Sequence, residues 1–218
     1  MSNQYDEKYY SGNSNYTSYQ YDTRFIQWAY DIKKYLNPKS LLDVGCAKGY
    51  LVRSLRLLGI DAKGVDISDY AIENADELAR DHVKCSSATS IPYDGKFELV
   101  IAFDILEHIP EPDVFTAIDE LARLGDTVFL KMPHFYDPWD LDETHVTLYP
   151  KSWWNEEFSK RGFEVITNHG ILEKFNYMGG MLFSKIPLNQ NFLEPTVSDL
   201  ATKEELNFFE KCKHMDIF

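Results

Sequence analysis

Between residues 40 and 131, short apolar runs alternate with amphipathic stretches, and that rhythm restricts the fold more than any other feature. "SLLDVG" is an apolar run ending in glycine, and Leu51, Val52, Leu55 and Leu58 then recur at helical spacing as far as Gly59. "AKGVDI" is a second run, after which Ser68 or Asp69 can cap a helix carrying Ala71, Ile72, Ala75, Leu78 and Ala79. "HVKCSS", "FELVIAFD" and "DTVFLKMP" read as three further strands, with an amphipathic helix over residues 112–124 before the last. Such alternation predicts an α/β chain built on an open, mostly parallel sheet with helices on both faces.

The flanks differ. Residues 1–21 are rich in Tyr, Ser, Asn and Gly, with few aliphatic side chains to build a core. They read either as a solvated tail or as an aromatic lid over a pocket mouth, with Tyr19 and Tyr21 facing the substrate. From Asp22 a helical pattern places Phe25, Trp28, Ala29, Ile32, Tyr35 and Leu36 on one face, and Asn37-Pro38 stops it. After Pro133 a polar, aromatic loop runs to Tyr149, followed by a helix through Trp153, Trp154, Glu157 and Phe158. "FEVITNHG" and "GGMLFSKI" are two more strands, close enough to pair as an antiparallel edge. The spacing allows a last helix from Ser198 to Lys213. The expected division is a lid segment and helix (1–37), a cofactor domain (38–186) and a carboxyl-terminal extension (187–218).

Composition removes several classes of function. With 22 Lys+Arg against 35 Asp+Glu the net charge is −13, which disfavours gripping nucleic acid or anionic membrane by general electrostatics. Cys46, Cys85 and Cys212 are far apart and lack a CxxC pair, so neither a disulfide framework nor a structural zinc site is expected. "MSNQYDEKYY" has no basic n-region or apolar h-region, and no apolar run approaches a membrane span, so the expected setting is cytoplasmic.

The stretch "DVGCAKG" at 43–49 carries the chemistry. A dinucleotide loop is G-x-G-x-x-G after a strand. Here the spacing is Gly45, Ala47, Gly49, followed by the bulky Tyr50, and Asp43 at the strand tip would repel a pyrophosphate. A cofactor with an ammonium and a sulfonium tolerates that carboxylate, and S-adenosylmethionine (SAM) has both. Asp66 in "GVDIS" lies about twenty residues beyond the loop, where a carboxylate can accept bonds from both ribose hydroxyls. A nicotinamide-dependent reductase is disfavoured by Asp43 and Tyr50.

Taken together, "LLDVGCAKGYLVRSL", "GVDIS", "ATSIPYDGKFELVIAFDILEHIP" and "HVTLYPKSWWNEEFSKRGFEV" resemble the class I SAM-dependent methyltransferases, a Rossmann-like fold. They are most similar to the branch acting on small molecules and sugars. The resemblance implies that Asp43, Gly45 and Gly49, with Ala47 between them, hold the methionine end of SAM. Asp66 would then bind the ribose, Ile67 would pack on adenine, Ser87 and Ala88 would meet the adenine edge, and Asp104 would line the floor near the sulfonium. Two departures stand out. Ala47 replaces the usual middle glycine, which is acceptable at a negative φ, and Ser87 replaces a common aspartate.

A hydroxyl acceptor also needs its proton removed. His145 in "DETHVTLYP" is the first candidate and His134 in "MPHFYDP" the second, with Tyr136 as a substrate contact. The expected acceptor is a small molecule, a sugar or a modified peptide, methylated at oxygen. One alternative is a SAM-binding partner subunit without turnover. Another follows from "DILEH" and the later His145, which together are similar to the metal cluster of small-RNA 2′-O-methyltransferases. Asp104, Glu107, His108 and His145 would form that oxygen–nitrogen set. The motif is common in metal-free relatives and the chain is acidic, so the expectation is no metal, with His108 a structural residue.

Overall fold

The structure, a computed structural model, describes residues 5–11, 19–133, 142, 144–188 and 194–214. Among them seven strands form one sheet. They are β1 (Ser40–Val44), β2 (Asp61–Asp66), β3 (Val83–Cys85), β4 (Leu99–Phe103), β5 (Thr127–Lys131), β6 (Glu164–Ile166) and β7 (Met181–Ser184), in the order β3-β2-β1-β4-β5-β7-β6. The first five strands pair in parallel. Strand β7 runs antiparallel to both β5 and β6, so the antiparallel strand lies one in from the edge. The cause is burial: all four residues of β7 are buried and need cover on every side, whereas Glu164 of β6 is exposed and suits an edge.

Alternation along the strands divides the core in two. Leu41, Leu99, Ile101 and Phe129 point to one face, and Leu42, Val100, Ala102, Val128 and Leu130 to the other. The first face is covered by α2 (Thr23–Tyr35), α3 (Tyr50–Leu57), α7 (Gly170–Phe175) and α8 (Lys203–His214). The second is covered by α5 (Asp113–Leu124), through Val114, Ala117, Ile118 and Leu121, and by α6 (Lys151–Lys160), through Trp154 and Phe158. Helix α2 starts where the Asp22 carboxylate accepts from the Arg24 N–H at 2.8 Å. It also buries Ile26 and Tyr30, a broader face than the periodicity indicates, because α3 and α8 both pack on it.

Two further elements depart from expectation. The helix after β2 ends early: α4 is only Asp69–Glu73, capped by Ser68. The Asp76 carboxylate takes the Leu78 N–H at 2.9 Å and pairs with Arg53 at 3.0 Å, and such local side-chain bonding competes with helix continuation. Helix α7 was not anticipated between the last two strands. Near the amino terminus a single-turn helix, α1 (Glu7–Tyr10), lays Tyr10 against Ala47 and Ala71. Among the described residues no helix is long and apolar enough to cross a membrane.

Candidate active site

Ligands of open α/β sheets bind beyond the carboxyl ends of the strands, and the singled-out residues gather there. The turn leaving β1 needs backbone that side chains resist. Gly45 has φ +85, and a Cβ there would lie 2.0 Å from Ile105 Cδ1. Ala47 has φ +48, against the negative angle expected of it. A left-handed alanine costs about 1–2 kcal/mol, and an offset is visible: its N–H donates to the buried Asp66 carboxylate at 2.7 Å. Gly49, at φ +73, then opens α3.

Asp43, next to last in β1, and Asp66, last in β2, lie near the ends of neighbouring parallel strands and are both buried. Burial, then the Asp66 charge, pushes Asp43 up to about 8. Burial raises Asp66 too, against the lowering effect of backbone N–H groups that bond its carboxylate. Its oxygens accept from Ala47 and Ser68, while Ser68 itself caps α4. Each carboxylate oxygen keeps acceptor capacity after these bonds. This donor set suits a ligand bearing an ammonium and vicinal hydroxyls. It does not suit a pyrophosphate, since Lys48, the loop's cation, lies over the rings of Tyr10 and Tyr70. The segment after β3 is tied to this end of β2 by the Ser86 N–H on the Asp66 carbonyl, which brings Ile67, Ser87 and Ala88 alongside.

Asp104 follows β4 at φ +54, with its carboxylate paired to Lys131 at the end of β5. Lys131 was not foreseen; a lone basic residue ending a buried strand is the signal that marks it. The expected acceptor side lies beyond. A single turn, Leu106–His108, brings the His108 ring to 4.7 Å (centroids) from that of His145, and both lie by the buried Glu107. His108, expected as structural, thus lies beside His145. Burial, and then the neighbouring His145, lowers its pKa. Tyr5 reaches the same ring edge-on at 6.4 Å, and its carbonyl accepts from Ser68 Oγ at 2.5 Å, so the amino-terminal segment bridges both sides. Tyr19 stacks on Tyr50 at 5.4 Å, whereas the Tyr21 hydroxyl donates to Glu205 and meets Ser54. His134 and Tyr136 lie outside the described residues.

A methyltransferase-domain family model matches residues 19–168. The chain belongs to the class I SAM-dependent methyltransferases. Over 99 residues it is 33% identical to the ubiquinone biosynthesis O-methyltransferase of Methylococcus capsulatus, a match covering 42% of each chain. Over 117 residues it is 31% identical to the enzyme of the same name from Thiobacillus denitrificans, covering 48% of each. The chain thus spans less than half the length of these relatives. Among solved structures it resembles Streptomyces venezuelae DesVI at 14% identity and TM-score 0.60, covering 75% of this chain and 90% of that one. It also resembles the magnesium protoporphyrin IX methyltransferase of Synechocystis PCC 6803 with bound SAH (15% identity, TM-score 0.54, 84% and 98% covered). At these identities the structural likeness is one of fold, and SAM is the cofactor of the methyltransferase family to which the chain belongs.

Proposed function

We propose that the protein transfers the methyl group of SAM to an oxygen of a small-molecule, sugar or modified-peptide acceptor. One observation carries the reading: Tyr5 joins the two groups, its ring against His108, which faces His145, and its carbonyl on Ser68, whose N–H bonds the buried Asp66 carboxylate beside the glycine turn. When bound, the cofactor supplies a methyl on a positively charged sulfur, ready for in-line displacement. Asp43, Gly45, Ala47 and Gly49 hold its methionine end, and Asp66 takes the ribose hydroxyls. Ile67 packs on the adenine, Ser87 and Ala88 meet its edge, and Asp104 lies below the sulfonium. In this reading the chain divides into a lid segment and helix (1–37), with Tyr19 at the mouth, a cofactor domain (38–186) and a carboxyl-terminal extension (187–218), whose helix α8 packs on α2.

On the acceptor side His145 handles the hydroxyl proton, with His134 the alternative. Holding donor and acceptor in line and away from water supplies much of the rate. The names of the two curated relatives, both O-methyltransferases, support oxygen as the target. The test is turnover of methyl-labelled SAM with a pooled metabolite and glycan extract, the labelled product being identified by mass spectrometry. A methyl ether or ester is the expected outcome. SAM bound tightly with no labelled product would instead indicate a binding subunit without turnover.

A further inference from the structure

The last helix reaches the glycine turn through one buried carboxylate. Glu205 of α8 is 3% exposed, and its Oε1 accepts from the Tyr21 hydroxyl at 2.7 Å and from Arg53 Nε and Nη2 at 3.1 and 3.0 Å. Its other oxygen takes the Thr202 N–H at 2.7 Å, while the Thr202 hydroxyl takes the Glu205 N–H at 3.2 Å. This reciprocal cap fixes the carboxylate on the first turn of α8. We propose that Glu205 is a positioning residue of the cofactor site: through Arg53 and Tyr21 it holds the glycine turn and the root of the amino-terminal lid in register, and so sets how tightly SAM is bound. This role rests on the reading above, in which the turn and Asp66 hold SAM.

Arg53 carries the first branch. It stands on the first turn of α3 with its N–H on the Gly49 carbonyl at 2.8 Å, and its Nη1 makes two bonds to the Asp76 carboxylate at 3.0 and 3.1 Å. The Asp76 N–H donates in turn to the Lys48 carbonyl at 2.9 Å, between Ala47 and Gly49. Glu205, Arg53 and Asp76 thus form a chain of charges that ends on the backbone of the turn. All three side chains are at most 15% exposed. Buried charges of this kind add little stability over well-packed apolar side chains, because desolvation offsets their attraction; their effect here is to fix relative position. The extension also meets the far end of α3, where the Ser198 N–H donates to the Leu57 carbonyl at 2.7 Å.

Tyr21 carries the second branch. Its ring lies under the Arg53 guanidinium at 4.7 Å and stacks on Phe25 at 6.2 Å, and its hydroxyl also meets Ser54 at 3.0 Å. Two residues earlier, Tyr19 stacks on Tyr50 and meets the Tyr10 ring edge-on at 5.6 Å, with its N–H on the Tyr10 carbonyl at 3.1 Å. Tyr10 in turn lies against Ala47. The aromatic residues that cover the turn are therefore anchored, at Tyr21, to the same carboxylate that steadies the turn from below. Tyr21, expected at the substrate, serves instead as the root of the lid. Removing Glu205 frees both branches at once, and a site that spends less time in its binding arrangement binds in proportion to the fraction that remains.

The test uses the full chain, with SAM affinity read by calorimetry and folding by thermal unfolding, in the parent, Glu205→Ala, Tyr21→Phe, their double variant and Phe209→Leu. Phe209 is fully buried on the same helix and reports what loosening α8 does by itself. Glu205→Ala should weaken SAM about 2–30-fold, the range for residues that modulate a site without touching its ligand, and Tyr21→Phe toward the lower end of that range. Both act through one carboxylate, so the double variant should be no weaker than Glu205→Ala. Phe209→Leu should lower the melting temperature and leave the affinity of the folded protein unchanged. If Glu205→Ala does not fold, Tyr21→Phe, which keeps the ring, decides alone. Parental affinity in the folded variants, additive losses in the double variant, or an equal loss in Phe209→Leu would overturn the proposal. Those outcomes leave the cofactor reading standing, whereas SAM affinity untouched by Asp66→Ala would count against that reading itself.

Discussion

The proposed cofactor side takes Asp43 and Asp66 from adjacent parallel strands, whereas the proposed acceptor side joins His108 to Thr144 across 36 residues of chain. On the first side the sheet ladder positions the carboxylates, and the Ala47 N–H welds the loop to Asp66. On the second, residues 144–147 are pinned by a few bonds to Glu107, His108 and Ile109. Cores and ladders resist local opening, whereas pinned loops open at low free-energy cost. On the proposed reading, the cofactor side is the more rigid of the two and the acceptor side the one more easily opened.

The largest expected effect tests the independence of the two sides. His145→Ala should lower turnover at least about 10²-fold, the lower end for losing a residue that handles a proton, with SAM affinity within a few-fold of the parent. Steady-state kinetics with the true acceptor, beside calorimetry with SAM, measures both; a near-parental rate would remove His145 from the chemistry. Next is the rigidity of the cofactor side. Gly45→Ala combines a left-handed residue, about 1–2 kcal/mol, with overpacking against Ile105, about 1–3 kcal/mol. Urea unfolding should show a loss of about 2–5 kcal/mol, and an unchanged midpoint would mean the turn relaxes freely.

Asp66→Ala should weaken SAM by about 1.5–3 kcal/mol, the range for hydrogen bonds to a charged group. Unchanged affinity by calorimetry would take Asp66 out of the ribose role. The last test reads a slope. Asp43 is raised from the usual 3.8 to about 8 in the fold, chiefly by burial. Between those values the folded state keeps a proton that the unfolded chain releases. The stability this contributes is complete below about pH 4 and is lost as pH rises through about 8. Asp43→Asn should flatten that decline in unfolding free energy; an identical slope in both proteins would show that Asp43 titrates normally.

The cofactor side was legible because its signals are local. The apolar run, the acid at its tip, the paired glycines and Asp66 about twenty residues on all lie within one strand–helix–strand unit. The acceptor side was legible only in part. His145 could be singled out from an aromatic loop, and only the likeness of "DILEH" to the small-RNA cluster grouped His108 with it; nothing in the sequence indicates that Lys131 would draw Asp104 away.

Hydrophobic periodicity determined the class of fold, the positions of β1 to β5 and the direction of the parallel sheet, since periods of two and of three to four residues admit few arrangements that bury both faces. Tertiary structure alone decided the rest. Burial on every side drew β7 inward of β6; the Arg53–Asp76 pair stopped α4 after one turn; the Asp66 carboxylate holds Ala47 at a positive φ. It also brought Tyr5 and Tyr10 over the cofactor loop and set two imidazoles beside Glu107. Each of these depends on a contact between residues far apart in the chain, and a local pattern carries no information about a partner that only folding supplies.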